Sequence, residues 1–487
     1  MLTRKQFLMT GAAAILTGCD ATTPQLRPAF RKLESDPGPF DAPASDSVDL
    51  ITHAINRLSF GPRPGDYGRI SSLGGTPEES VQRYIDEQLD PAQMDDSAID
   101  YAIRRIESLS SPPGELFEYK ERVLLADLTR ATLLRAIWSK RQLYERMVHF
   151  WTDHFNIDSS KGDCRWLKAA DDRDVIRRHA LGTFPELQRA SALSPAMLWY
   201  LDGRVNRRQT GADKSNENYA RELLELHTLG IHGGYTQHDV MEVARCLTGW
   251  TVRTVSQFNK GRVEFHPEQH DDEAKLVLGQ IIPAGLGEKD FDRVLEIVSL
   301  HPSTARHLAE KLCRHFIADD PPPTAVDAVK QTFLDSRGDI RTTLRALFAT
   351  PEFLAARRTK IKRPFEFVAS ALRVTQAETD AGAPLFDYLV RMGHAPFQYP
   401  TPEGYSDRAP HWMGTLLWRW KFASALSRNE IAATTVDPDR CAQAFGGARR
   451  FAAHILGRRP AAGELTNSGT PAEQLALLLA SPEFQRC

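Results

Sequence analysis

No run of this chain approaches the ~20 continuous apolar residues that a membrane-spanning helix needs. Cysteine is scarce, at 6 of 487 residues, and no Cys-x-x-Cys pair occurs, so zinc-ribbon and thioredoxin-type sites lack support. Neither sign of charge dominates: 61 Lys and Arg face 63 Asp and Glu, a formal net charge of −2. Subtracting Arg4 and Lys5 with a cleaved leader leaves about −4, where a nucleic-acid binder would show a basic excess. Also missing are a His-Glu-x-x-His string, a Glu-x-x-His pair, a Gly-x-Ser-x-Gly elbow, a P-loop and a Rossmann glycine fingerprint. Zincin, di-iron, serine-hydrolase, nucleotide and dinucleotide readings therefore have no motif to stand on.

What is present begins with a leader. Arg4 and Lys5 precede a short, weakly apolar run from Phe7 to Leu16, and Leu16-Thr17-Gly18-Cys19 has the form of a lipobox. The expectation is a signal peptide over 1–19, with a lipid on the Cys19 thiol. Asp20 resembles the inner-membrane retention signal of Gram-negative lipoproteins, and Thr3-Arg4-Lys5-Gln6-Phe7-Leu8 resembles a twin-arginine motif with Lys in its second basic place. The Sec and twin-arginine routes both stay open, and the expected location is the periplasmic side of the inner membrane. Residues 20–47, rich in Pro, Asp, Ala and Ser, read as a flexible tether. The five cysteines after Cys19 leave an odd thiol in an oxidising compartment.

From 48 to 487 the pattern is helical, with a sub-boundary expected near 281–300. The periodicity predicts helices over about 48–58, 77–89, 98–108, 114–140, 141–157, 172–182, 195–201, 216–229 and 237–248, and again from 288 to 480. Between them, TVRTVSQF and RVEF flank Asn259-Lys260-Gly261 as a β-hairpin, with KLVLG as a third strand. The fold class is mainly α: a large multi-helix domain with αα-hairpins and a small β-hairpin insertion near 250–280.

The most specific stretch is Ser215 to Trp250. Asn216 is placed to cap a helix running to Leu229, with Tyr219, Ala220, Leu223, Leu224 and Leu226 on its apolar side and Glu217, Arg221, Glu222 and Glu225 opposite. His227 projects from the apolar side. Gly230 and Gly233-Gly234 break the helix, and Thr236 with Asp239 forms a capping box for the next one.

These strings, NENYARELLELHTLG and GGYTQHDVMEVARCLTGW, resemble the signature of the bacterial domain-of-unknown-function family 1800. So do HAINRLSFGPRPGD (53–66), ERMVHFWTDHF (145–155), PAMLWYLDG (195–203), HPSTARHLAEKLCRHF (301–316), KRPFEFVASALR (362–373), TPEGYSD (401–407) and RWKFA (419–423). The resemblance spans roughly 48–486. It implies an exported, mostly helical bacterial protein and carries no agreed catalytic residues. Where the family often shows Trp-His-x-His-Phe, this chain has Trp151-Thr152-Asp153-His154-Phe155, so a metal site built on that pair would lose a ligand.

Within the predicted 141–157 helix, His154 shares the apolar face with Met147, Val148 and Trp151, while His149 and Asp153 lie elsewhere. His154, His227, His270 and Asp271 are candidate ligands of a divalent metal. Glu222, Glu225, Arg221 and Glu242 are candidates for acid–base chemistry. The plainer alternative is hydrogen-bonded core histidines with solvated acids. Arg357, Arg358, Lys360, Lys362 and Arg363 form a basic run, a solvated face or an anion-binding patch for lipid headgroups, a glycan or an acidic partner. Trp412, Trp418 and Trp420 have the spacing of a core stripe or a sugar-stacking wall. Two functions follow. One is an envelope lipoprotein acting as a scaffold or assembly factor that binds an envelope partner, the preferred reading because polar helix faces are common and catalytic sites are not. The other is a periplasmic enzyme with a His/Glu/Asp site acting on an envelope polymer or other exported substrate.

Overall fold

Proline and small polar residues punctuate the chain into helices. Pro77, Pro195, Pro302, Pro351, Pro364 and Pro471 each open one, where the missing N–H costs nothing and φ is already helical. Thr76, Thr183, Thr236, Thr350, Asp437 and Thr470 cap helix starts through their side-chain oxygens. The computed structural model describes residues 39–208, 215–255, 259–465 and 469–487. The expected leader, Cys19 and residues 20–38 of the expected tether lie outside them. Mainly α is what the chain adopts, with small two-stranded ribbons, and no helix among the described residues is long and apolar enough to cross a membrane.

Two large hydrophobic clusters, and a small third around Leu116, Leu124 and Ala170, are found among the described residues. The first draws on Leu50–Leu58, Pro77–Leu89 and the chain from Leu143 to Ala356; the second on Phe40, Phe60, Ile99–Trp138 and Phe365–Phe484. Helices on either side of 281–300 belong to the same cluster, so the core changes hands near 356–365 instead. Buried arginines bridge the change. Arg57 donates to the Ile317 and Ala356 carbonyls at 2.9 and 3.0 Å, and Arg373 to those of Gly61 and Ile137 at 2.6 and 2.7 Å. Guanidinium suits this work, since its planar fork reaches several carbonyls that would otherwise be buried without partners.

Several expectations shift. The tether ends early: Phe40 is buried against Phe445, and its N–H donates to the Ala444 carbonyl at 3.0 Å. The 114–140 helix divides into Pro113–Leu116 and Glu121–Trp138. Trp250–Val252 pairs antiparallel with Val263–Phe265, whereas Lys275–Val277 pairs with Gln280–Ile282 as a separate hairpin. Its turn residues Leu278 and Gly279 both have positive φ, 48° and 76°, as a two-residue primed turn requires. The expected helix 216–229 starts at Asn218 and widens after Glu222 into a π-helix, Leu223–Thr228. Asn216 accepts from the Asn218 N–H at 3.0 Å just before it, and the Thr228 hydroxyl donates to the Leu223 carbonyl five residues back at 2.6 Å.

Candidate functional site

The Gln142–His154 helix is packed on both sides. Trp151 and Met147 face the first cluster, while Arg146, His149 and Asp153, at i, i+3 and i+7, form a polar stripe toward the second. That stripe meets the start of the Pro364–Val374 helix, where Glu366 accepts from the Arg363 N–H at 3.0 Å as its capping group. Arg363 donates to Asp153 at 2.6 Å and to His149 Nδ1 at 2.5 Å. Arg146 donates to Glu366 at 2.7 Å and to His315 Nε2 at 3.1 Å. A guanidinium has no acceptor, so His315 keeps its proton on Nδ1 and donates it to Asp407 at 3.1 Å. Two guanidiniums thus meet three carboxylates, with the Lys360 ammonium adding its charge near Asp407.

Burial raises Glu366 and Asp407, yet Arg146 and Arg363 hold Glu366 below the usual carboxylate range, and His315, Arg363 and Lys360 hold Asp407 well below it. Asp153 goes the other way: burial, with Asp407 nearby, pushes it up to about 6 against the pull of Arg363.

The outer side of this cluster opens into a cavity of about 160 Å³ between the Gln142–His154 helix, the Pro302–Phe316 helix and the 403–408 loop. Lys311, Arg314 and Arg408 supply its positive charge; Asp153, Glu403 and Asp407 its negative charge. Arg314 is bonded to the Asp319 carbonyl at 3.2 Å and Arg408 to Asp320 at 3.0 Å. Lys311 takes no hydrogen bond or ion pair among the described residues, because the Asp153 carboxylate is engaged by Arg363 and the Asp407 carboxylate by His315 and Arg363. Burial and Arg314 pull its ammonium down to about 8, against Asp407 and Asp153. An ammonium that titrates near neutral pH, inside a cavity and beside a raised carboxyl, is the arrangement acid–base chemistry uses.

The loop is fixed by its own sequence. Gly404 has φ 71°, and a Cβ there would run into the Asp153 carbonyl oxygen, so only glycine lets TPEGYSD lie against the helix. Asn156 donates to the Tyr399 and Thr401 carbonyls at 2.9 and 2.8 Å, and Trp412 to Ser406 O at 2.9 Å.

The proposed metal set is divided. His154 lines the cavity and donates through Nε2 to the His227 carbonyl at 3.1 Å; His307 donates likewise to Leu226 at 3.2 Å. Both carbonyls lie at the end of the π-helix, where backbone acceptors lack helical partners. Burial drives the His227 imidazole down to about 3 and His154 well below its ordinary value. His270 sits elsewhere, between Thr248 O at 2.9 Å and Asp290 at 3.1 Å, and Asp271 accepts from Arg245 at 2.7 Å. Among the described residues no three His, Cys, Asp or Glu side chains are grouped to hold a metal. A His-x-His pair at 152 and 154 would not share a face either, since i and i+2 stand about 200° apart on a helix. Thr152 lines a separate small cavity with His149 and His394.

The acid–base candidates also separate. Glu242 accepts twice from Arg245, at 2.9 and 3.0 Å, and from the Leu276 N–H at 2.9 Å, which ties the second hairpin to its helix. Arg221 is held by Glu217 at 3.2 Å, and Glu225 accepts from Tyr235 at 3.2 Å. Glu222 is raised by burial, Glu225 and Glu403. None of the four lines the cavity; Glu222 alone feels one of its lining residues, Glu403.

The basic run is corrected most sharply. Lys360, Lys362 and Arg363 are buried: Lys360 on Asp319, Lys362 on the Ser370 hydroxyl at 2.9 Å, Arg363 in the ionic cluster. Arg358 donates to the Leu456 carbonyl at 2.7 Å and Arg357 alone is exposed. The run reads as surface because it crosses between two cores, which sequence does not reveal.

Lys311, Asp153, Asp407, Arg314 and Arg408 were not singled out as site residues from sequence. The signal was that they, or close neighbours, lie in segments carrying the family resemblance: ERMVHFWTDHF, HPSTARHLAEKLCRHF and TPEGYSD.

The fold and cavity define a mainly α protein with an ionic seam between two cores and a charged cleft opening from it. The chain belongs to the family described as protein of unknown function (DUF1800), whose sequence profile matches residues 53–486. Neither a curated protein nor a solved structure matches it.

Proposed function

We propose that this is an envelope-anchored enzyme that binds an anionic group of an exported substrate in the Lys311 cleft and moves a proton there. The observation that carries the reading is Lys311 itself, an ammonium in a cavity whose neighbouring carboxylates, Asp153 and Asp407, are already engaged by Arg363 and His315. Lys311, Arg314 and Arg408 would hold the anion. Lys311, at about 8, and Asp153, at about 6, would donate and accept the proton. The anchor would be a lipid on Cys19 at the periplasmic face of the inner membrane, after export by the Sec or twin-arginine route. The scaffold reading draws on the general helical architecture, whereas the cleft supplies a built site, which favours the enzyme. The test is a thermal-shift and calorimetric panel of phosphate, carboxylate and muropeptide ligands on wild type and Lys311→Met. An anion that stabilises the wild type and not the variant is the expected result. Equal binding by the variant, or no binding by either, overturns the proposal.

A further inference from the structure

The Leu416–Ser427 helix is apolar on both sides. Phe422, Ala423, Ala425 and Leu426 pack inward, while Leu416, Leu417 and Trp420 stand out with 48, 60 and 55% of their surface exposed. Met413, on the preceding turn, adds 49%. Four large apolar side chains exposed within eight residues form a patch, unlike the single exposed apolar residues usual on a protein surface. Leu416 with Trp420 and Leu417 with Trp420 are i,i+4 and i,i+3 pairs, so they share one outward stripe.

The charge carried by the segment itself is of one sign. From Arg408 to Asn429 there is no Asp or Glu, while Arg408, Arg419, Lys421 and Arg428 are cations. Arg419 is buried, and Arg408 is paired with Asp320. Lys421 and Arg428 are exposed and make no ion pair among the described residues. Arg391 from the neighbouring helix, bonded to Asp387 at 2.6 Å, and Lys421 stack on Trp418 at 4.7 and 4.5 Å. Aromatic and leucine side chains flanked by cations are the composition of a helix that lies in the headgroup plane of an anionic bilayer.

We propose that Met413, Leu416, Leu417 and Trp420 dock the folded domain onto an anionic phospholipid surface, with Lys421 and Arg428 meeting the headgroup phosphates. The occupant is lipid on grounds of charge complementarity: the patch joins a hydrophobic stripe to the exposed cations Lys421 and Arg428, and the 408–429 segment that carries it has no carboxylate of its own. This docking stands apart from the proposed anchor. A lipid on Cys19 would keep residue 39 within about 65 Å of the bilayer, whereas the stripe would fix which face turns toward it.

The test uses the full chain carrying Cys19→Ala, so that no covalent lipid contributes. Its partition onto vesicles of phosphatidylglycerol with phosphatidylethanolamine is compared with that onto phosphatidylcholine, by co-sedimentation and tryptophan emission. The expected result is binding to the anionic vesicles, a blue shift, weakening as salt rises, and a loss of about tenfold or more in Leu417→Glu and in Trp420→Ser. Both positions are exposed, so unchanged melting temperatures would show that the variants remain folded. No vesicle binding, binding unaffected by either substitution, or a concentration-dependent dimer abolished by the same substitutions overturns the proposal. A defect in the Lys311 cleft leaves these readouts unchanged, which keeps the two ideas separable.

Discussion

Arg363 and Asp153, 210 positions apart in the chain, are joined by a 2.6 Å charge-assisted hydrogen bond inside the seam between two hydrophobic clusters. The same guanidinium donates to His149 and shares its charge with Glu366 and Asp407. Its removal would leave Asp153 without its ion-pair partner and the buried Glu366 facing Arg146 alone.

Arg363→Ala is therefore expected to destabilise the protein by about 3–5 kcal/mol, the range for breaking a buried ion pair. Arg363→Lys should recover only part of it, because one ammonium cannot reproduce a fork that reaches both Asp153 and His149. Urea unfolding of the two variants checks this; equal stability of Arg363→Lys and wild type would refute it.

Lys311 should react with an amine-directed acylating reagent along a pH profile centred near 8. Asp407→Asn removes an anion that favours the ammonium and should move the midpoint lower; Arg314→Gln removes a cation and should move it higher. Peptide mass spectrometry of the 301–316 segment reads the midpoint. Opposite shifts would sink the assignment of charges in the cleft.

Stability should fall as the solution is acidified from pH 7 toward 5. Burial lowers His53, His227 and His454 to about 3 and His307 to about 4, from an ordinary 6.5. Between those limits the unfolded chain takes up protons that the folded one refuses, so stability rises with pH across the window and is lost on descending through it. Asp153 acts oppositely, since its raised value near 6 lets the folded state bind a proton first. One carboxyl against four imidazoles leaves the net sign unchanged. A urea midpoint that is flat or climbs from pH 7 to 5 would contradict this.

Gly404→Ala should lower the melting temperature by several degrees and raise the reactivity of Lys311. The positive φ and the Asp153 carbonyl leave a methyl no room, so the loop must lift from the helix. A variant with wild-type melting and labelling would show that the loop has more freedom than its packing implies.

Helices were legible because their punctuation is local: a capping oxygen, a proline at the first turn and a 3.6-residue period. The Thr236–Asp239 capping box forms as its spacing predicts, with Asp239 accepting from the Thr236 N–H at 2.8 Å. The π-widening at Leu223–Thr228 has no such signal, and neither has the separate Lys275–Ile282 hairpin, whose partner strand follows where none was expected. The site was less legible still. His154 was found because it interrupts an apolar face, but Asp153 lies on a stripe that reads as solvent-facing until a second cluster covers it. Lys311 resembles any helical lysine, and what sets it apart is that its neighbours' charges are spent elsewhere. Long-range pairing of this kind is not encoded in a window of sequence.

Cys164, Cys246, Cys313, Cys441 and Cys487 are all buried and none is joined in a disulfide, and burial raises Cys164 and Cys313 to about 12. The folded protein therefore keeps these five thiols out of reach of solvent reagents, and its described residues hold together without a covalent crosslink. The same five groups become ordinary thiols the moment the chain opens. A maleimide added to the native protein would then act as a clock, counting excursions out of the fold.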